Sequence, residues 1–133
     1  MDKPKVLFLC VHNSCRSHIA EALMDLRGGY LVEAYSAGTE RAVAIDPGAI
    51  RMMKELYDID LEKKHYIKTI EEIPPVDKIM VMDCNAEIPN LSYEYECLDW
   101  CVEDPYGKSD EVYERVISEI DEKVKDFVLK GIR

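Results

Sequence analysis

The feature that most constrains this chain is Lys5–Cys10 (KVLFLC), apolar at every step after Lys5 and followed at once by the polar run His12–Ser17. A segment with no polar side has no face to offer water. It predicts a strand covered on both faces, as in a parallel sheet. Ser17–Arg27 then takes helical spacing: Ile19, Ala22, Leu23 and Leu26 share one face, and Glu21 and Asp25 point away. A buried strand that turns within a few residues into an amphipathic helix already narrows the fold to the α/β classes.

The rest of the chain continues that pattern. Gly28-Gly29 stops the first helix. Tyr30–Ser36 reads as a second strand, closed by Ala37-Gly38. Asp46-Pro47 starts a helix, with Asp as N-cap and Pro at the first position, and Ile50, Met53, Leu56 and Tyr57 supply its apolar face. Asp60–Ile73 predicts a short helix and loops, ended by Pro74-Pro75. Val76–Met82 and Tyr95–Val102 read as third and fourth strands. From Ser109, the residues Val112, Val116, Ile120, Val124 and Phe127 mark a long C-terminal helix whose acidic side is a solvated face. The expectation is an α/β fold: a single three-layer domain over residues 1–133, with a four-stranded, mainly parallel sheet and helices on both faces. With 47% apolar residues, 133 residues suffice for a core without covalent staples.

Charge limits the partners. There are 27 carboxylates against 17 Lys plus Arg, a net charge of −10. Nucleic acid and anionic membrane both demand a basic face, so neither is expected as a partner. The apolar run Val6–Val11 is far too short to span a bilayer and precedes no small-residue cleavage site, so no signal peptide is read and the protein is placed in the cytoplasm. Cysteines stand at 10, 15, 84, 97 and 101. In a reducing compartment an odd set predicts no disulfide framework. There is no Cys-x-x-Cys, and the histidines are scattered, so no metal site is expected and no cofactor is implied. His12 is read as a rim residue and His18 as a solvated residue of the first helical turn; His65 carries no signal. Cys15, Cys97 and Cys101 are read as packing residues, the last two on one strand face near Trp100.

The chemistry concentrates at Cys10-Val11-His12-Asn13-Ser14-Cys15-Arg16-Ser17, between the end of the first strand and the start of the first helix. Backbone N–H groups converge in such a loop and the helix dipole adds positive potential, so it is a ready anion seat. A cysteine at the strand end looks into that seat, and such surroundings typically favour the thiolate. Arg16 offers a planar fork that can hold two oxygens of a tetrahedral oxyanion. The predicted oxyanion-binding set is Val11, His12, Asn13, Ser14, Cys15, Arg16 and Ser17, with Cys10 as nucleophile. Gly-Lys-Ser/Thr is absent, which disfavours a nucleotide-hydrolysing loop.

Cys-x5-Arg-Ser near the N-terminus, Ser36-Ala37-Gly38-Thr39, and Asp104-Pro105 before a C-terminal helix together resemble the low-molecular-weight protein tyrosine phosphatase superfamily, which includes thiol-dependent arsenate reductases. The resemblance covers essentially the whole chain. Asn13-Ser14-Cys15-Arg16-Ser17, His18 and Ala20-Glu21-Ala22 resemble the reductases; Met82-Asp83-Cys84-Asn85 and Asp104-Pro105-Tyr106 resemble the phosphatases. The resemblance implies that Cys10 attacks the oxyanion, that Arg16 and the loop amides hold its oxygens, that Ser17 hydrogen-bonds the thiolate, that Asn13 braces the loop and that Asp104 protonates a leaving oxygen. It implies an arsenate reductase first, with arsenite released by a second thiol and Cys84 as that thiol through a Cys10–Cys84 disulfide; Cys97, Cys101 or an external thiol are the alternatives for that role. Asp83 stands in the nominal slot of that thiol, and Leu91 stands where some reductases carry a further cysteine. The alternative is a phosphatase that hydrolyses phosphomonoesters through a phosphocysteine. A phosphate-docking module without turnover is a third reading, disfavoured by the intact Cys10, Arg16 and Asp104. The implied partners are a small oxyanion substrate, arsenate or phosphomonoester, and thioredoxin, glutaredoxin or a small thiol as reductant.

Overall fold

A computed structural model describes residues 3–12, 15–84 and 87–130. In chain order the elements are β1 (Lys5–Cys10), α1 (Arg16–Gly28), β2 (Glu33–Gly38), α2 (Pro47–Tyr57), α3 (Leu61–Lys64), a one-turn 3-10 helix (Ile70–Glu72), β3 (Lys78–Val81), β4 (Glu96–Asp99) and α4 (Asp110–Leu129). The four strands are all parallel, in the order β2-β1-β3-β4. β1 lies between two neighbours, which is why its sequence carries no polar alternation.

The two faces of β1 belong to two cores. Val6, Phe8 and Cys10 meet Ile19 and Leu23 of α1, Met52 and Met53 of α2, and Val116, Ile120 and Val124 of α4. Leu7 and Leu9 join Ile79 and Val81 of β3 on the other face, under Ile70 of the 3-10 helix and Val76. The helical cover is therefore unequal, with the α-helices concentrated on the first face. Val6, Leu7 and Phe8 are fully buried. Burying a side chain of this size contributes about 1.5–3 kcal/mol.

Several expected boundaries shift. β2 begins at Glu33 rather than Tyr30, because the Leu31 and Val32 N–H groups bond to the Gly28 carbonyl and complete the turn out of α1. It runs on through Ala37 to Gly38, which lies opposite Cys10. β3 and β4 keep only their central residues. Leu26 is exposed, against expectation. The buried side of α1 follows Ala20, Met24 and Gly28, because α4 packs there: Val128 lies on Gly28, and the Arg27 guanidinium donates two hydrogen bonds to Asp121 at 2.6 and 2.9 Å. Leu56 is also exposed, at the last turn of α2. The caps fall where the sequence puts them: Asp46 accepts from the Gly48 N–H at 3.0 Å and Ser109 from the Val112 N–H at 3.4 Å.

Candidate active site

The C-terminal ends of parallel strands open onto a common crevice, and the predicted site residues gather there. Cys10 is the last residue of β1 and Arg16 the first of α1. The segment after β2 fixes the backbone of the nucleophile. The Thr39 N–H donates to the Cys10 carbonyl at 3.2 Å and the Glu40 N–H to the Val11 carbonyl at 2.7 Å. This is the structural work of the Ser36-Ala37-Gly38-Thr39 motif. Cys10 is 4% exposed, and its Sγ lies 3.1 Å from the Ser17 Oγ. His12 is exposed at the rim. Asn13, Ser14 and Asn85 lie outside the described residues.

Arg16 is held from several sides. Its Nη1 donates to the Val102 carbonyl at 2.7 Å, after β4, and lies 3.5 Å from the Met82 carbonyl, after β3. Its Nη2 forms an ion pair with Asp83 and lies 3.8 Å from the Asp104 carboxylate. Asp104 is half-exposed, and its other oxygen accepts from the Tyr106 N–H at 3.1 Å, so the turn at Pro105 orients it. Asp83 also accepts from the Val11 N–H at 2.6 Å. One carboxylate thus engages two donors, Val11 N–H and Arg16, that the sequence reading assigns to the oxyanion. That reading missed Asp83 as a member of the site. The available signal was its position directly after a strand, where side chains can face the crevice.

Cys15 is buried. Burial, then the negative charge of Asp46, push its thiol well above the usual range, so it stays protonated and is no second nucleophile. Asp46 also accepts from the Tyr113 hydroxyl of α4 at 2.5 Å, and burial followed by that carboxylate raises the phenol. A Cβ on Gly48 would collide with the Tyr113 ring, so glycine lets this contact form.

The remaining cysteines depart from expectation. Cys84 and Cys101 form a disulfide across 17 positions, with Cα atoms 4.3 Å apart. Cys10, Cys15 and Cys97 are not disulfide-bonded. The expectation of no disulfide framework, and of Cys97 and Cys101 packed together on one strand face, is corrected, and the disulfide expected of Cys84 has Cys101 as its partner instead of Cys10. β4 ends at Asp99, and beyond it the Trp100 and Cys101 N–H groups both approach the Val81 carbonyl, at 2.9 and 3.4 Å. Cys101 then takes a left-handed backbone, φ 46°, and lies beside the end of β3 rather than along β4. Cys97 is exposed. Cys84 is paired with Cys101, not with Cys10.

A second buried polar group lies behind the site. The Nδ1 atoms of His18 and His65 are 3.1 Å apart, and Glu21 Oε1 lies 3.4 Å from His65 Nδ1. The Ser36 hydroxyl donates to Glu21 at 2.5 Å. Burial pushes the Glu21 carboxyl up to about 7, although the Ser36 hydrogen bond opposes it. His18 is fully buried and His65 nearly so, which corrects the solvated reading of His18 and the reading of scattered histidines. The donor atoms of His18, Glu21 and His65 lie within 4.8 Å of one another and are of a kind that can hold a metal ion. His18 and Glu21, three apart on α1, carried a one-face signal that the sequence reading did not use.

These features define a thiol-based oxyanion site at a strand-to-helix loop. Residues 5–133 match the family model described as low molecular weight phosphotyrosine protein phosphatase, and the chain belongs to that family. It is 35% identical to Arsenate reductase 2 of Staphylococcus saprophyticus, over 96% of this chain and 98% of that one. It is 32% identical to the glutaredoxin arsenate reductase of Synechocystis, over 95% and 97%. Among solved structures, an arsenate reductase in the phosphate binding state superposes with a TM-score of 0.84 at 32% identity, covering 96% of this chain and 98% of that one. A low molecular weight protein tyrosine phosphatase from T. tengcongensis gives 0.80 at 26% identity, covering 96% and 99%. A thioredoxin-dependent arsenate reductase of Corynebacterium glutamicum gives 0.73 at 30% identity, covering 97% of this chain and 62% of that one. Among the described residues no helix is long and apolar enough to cross a membrane.

Proposed function

We propose that this protein is an arsenate reductase that uses Cys10 as nucleophile and a second thiol, Cys84, to release arsenite. The observation that carries the reading is the pair of sulfurs at adjacent strand ends. Cys10 closes β1, and Cys84 follows Asp83, whose carboxylate is bonded to the Val11 N–H beside Cys10. A phosphatase needs one such thiol, whereas reduction of As(V) by thiols consumes two.

Arsenate enters the seat made by the loop amides and Arg16, displacing Asp83 from them. Arg16 is braced by two backbone carbonyls, so its fork is already oriented, and little reorganisation accompanies charge development. The Cys10 thiolate, with the Ser17 hydroxyl as hydrogen-bond donor, attacks arsenic and expels hydroxide, which Asp104 protonates to water. The Cys84 thiolate then attacks the Cys10 sulfur. The sulfur–arsenic bond breaks, its electron pair passes to arsenic, As(V) becomes As(III), and arsenite leaves a Cys10–Cys84 disulfide. The glutaredoxin- and thioredoxin-dependent relatives support a dithiol protein as reductant.

Asp104 favours a second reading. Its carboxylate sits 3.8 Å from Arg16 on an exposed turn, placed for protonating an alkoxide or phenoxide leaving group. In that case the product of attack is a phosphocysteine, hydrolysed by water. One preparation separates the two. Prereduced protein should release about one arsenite per chain without added reductant, and Cys10→Ser should abolish this together with any aryl phosphate hydrolysis. Brisk hydrolysis of phosphotyrosine with no arsenite released would replace the first reading by the second.

A further inference from the structure

We propose that His18, Glu21 and His65 form a binding site for one borderline-soft divalent cation, of the class of Zn²⁺ or Co²⁺, separate from the oxyanion seat. It holds whether Cys10 attacks arsenate or a phosphomonoester. The three donor atoms lie within 4.8 Å of one another, and none of Cys10, Arg16 and Asp104 is among the residues that supply them. His18 is fully buried, and the side chains of His65 and Glu21 are only 3% and 14% exposed. Two imidazoles and a carboxylate withdrawn from water carry a desolvation cost that their mutual contacts have to offset.

The geometry suits a cation better than a proton. His65 Nδ1 faces His18 Nδ1 at 3.1 Å and Glu21 Oε1 at 3.4 Å. A proton on that nitrogen can lie along only one of these directions, whereas a cation meets all three donors at once. Zinc bonds of about 2.0–2.2 Å set tetrahedral ligand atoms about 3.3–3.5 Å apart, so small displacements close the three donors on one ion. The Ser36 hydroxyl donates to Glu21 at 2.5 Å and lies 3.4 Å from His18 Nδ1. It orients the carboxylate, as the outer partners of metal ligands do. Three protein donors leave a fourth position for water. Two imidazole nitrogens select Zn²⁺ or Co²⁺ over hard cations such as Mg²⁺ and K⁺, which prefer oxygen.

Placement gives the ion a route in and a structural effect. His65 lines a cavity of about 320 Å³ with Leu26 and Ile59, where the carboxylates of Asp25 and Asp60 stand against the single ammonium of Lys63. That balance of charge favours entry of a cation. Lys68 places a further ammonium near Glu21, but its Nζ is bonded to the Tyr66 carbonyl at 2.9 Å and lies over the Tyr66 ring. His18 and Glu21 stand in the first turns of α1, next to the Ser17 that touches Cys10, and His65 follows α3 directly. An ion held by all three ties the helix that carries Arg16 and Ser17 to the segment after α3. Its role is structural: it braces the elements that position Cys10.

The experiment is a Co²⁺ titration of metal-free protein whose reactive thiols have been alkylated, so that sulfur does not compete, followed by visible absorption. Wild type should take up a single Co²⁺ per chain with a Kd of about 1 µM or below and show the bands of tetrahedral cobalt. Zn²⁺ should displace it, and an excess of Mg²⁺ or K⁺ should not. Zn²⁺ at about 100 times its Kd should raise Tm by about 10 °C. His18→Gln and His65→Gln keep a hydrogen-bonding side chain; each should weaken binding by at least about 100-fold and remove the Tm shift, with circular dichroism checking the fold. Independently of any variant, the Nδ1 nitrogen resonances of His18 and His65 in wild type should both move when Zn²⁺ is added. Binding weaker than about 1 mM, binding that survives both substitutions, or imidazole resonances that stay in place would overturn the proposal and leave the oxyanion site untouched.

Discussion

Replacing Asp83 by Asn should tighten oxyanion binding, although Asp83 touches the residue that holds the oxyanion. Its carboxylate accepts from the Val11 N–H at 2.6 Å and pairs with Arg16, and it is only 14% exposed, so solvent does little to weaken either contact. An incoming oxyanion has to displace it from both. A hydrogen bond to a charged group is worth about 1.5–3 kcal/mol net, and one between neutral groups about 0.5–1.5. Asn keeps the shape and one acceptor but exchanges the charged kind for the neutral kind. The competitor is then weaker by about 1–2 kcal/mol, which corresponds to a Kd for phosphate lower by roughly 10-fold. Arg16 keeps its bond to the Val102 carbonyl at 2.7 Å, so its orientation survives the change. Phosphate titration by calorimetry, on protein with the Cys84–Cys101 bond intact, measures the effect directly. Protection of Cys10 from alkylation by phosphate gives an independent readout. If Asp83→Asn binds phosphate more weakly than wild type, Asp83 positions Arg16 rather than competing with the ligand, and the reasoning fails.

Two further outcomes test the packing behind the site. Gly48→Ala drives a Cβ into the Tyr113 ring and should break the Tyr113–Asp46 hydrogen bond, with a loss of about 1–3 kcal/mol in urea unfolding; with Tyr113→Phe already present the added loss should be smaller, and full additivity would show that the two do not share a contact. Glu21, with its folded pKa raised to about 7 from 4.5, binds its proton more tightly folded than unfolded, so its contribution is full below about pH 4.5 and is lost as pH rises through about 7. Stability should therefore decline over that window by up to about 3 kcal/mol, and Glu21→Gln should flatten the decline; an unchanged slope in the variant would assign it to other groups.

Much of this protein can be read from local sequence, because local physics decides it. The apolar run Lys5–Cys10 could only be a central strand, and the polar turn to Arg16-Ser17 had to open a helix. Asp46-Pro47 and Ser109 carry their caps in their own side chains, so those helix starts needed no tertiary information. The order of elements then confined the chain to a parallel α/β sheet, and the Cys-x5-Arg spacing put a thiol and a guanidinium at one strand-to-helix loop. What lay beyond the sequence was everything decided by which strand ends are neighbours. The order β2-β1-β3-β4 brings the ends of β3 and β4 beside that of β1, and only then do Asp83 and Arg16 meet, 67 positions apart in sequence. The same pairing, with a left-handed turn at Cys101, joined Cys84 to a cysteine that strand periodicity had assigned to packing. His18 and His65 were scattered in the chain and meet only because α1 and the segment after α3 fold over the same core. Periodicity reports which side of an element is buried; it carries no term for the partner across the gap, and the chemistry of this site lies in those partners.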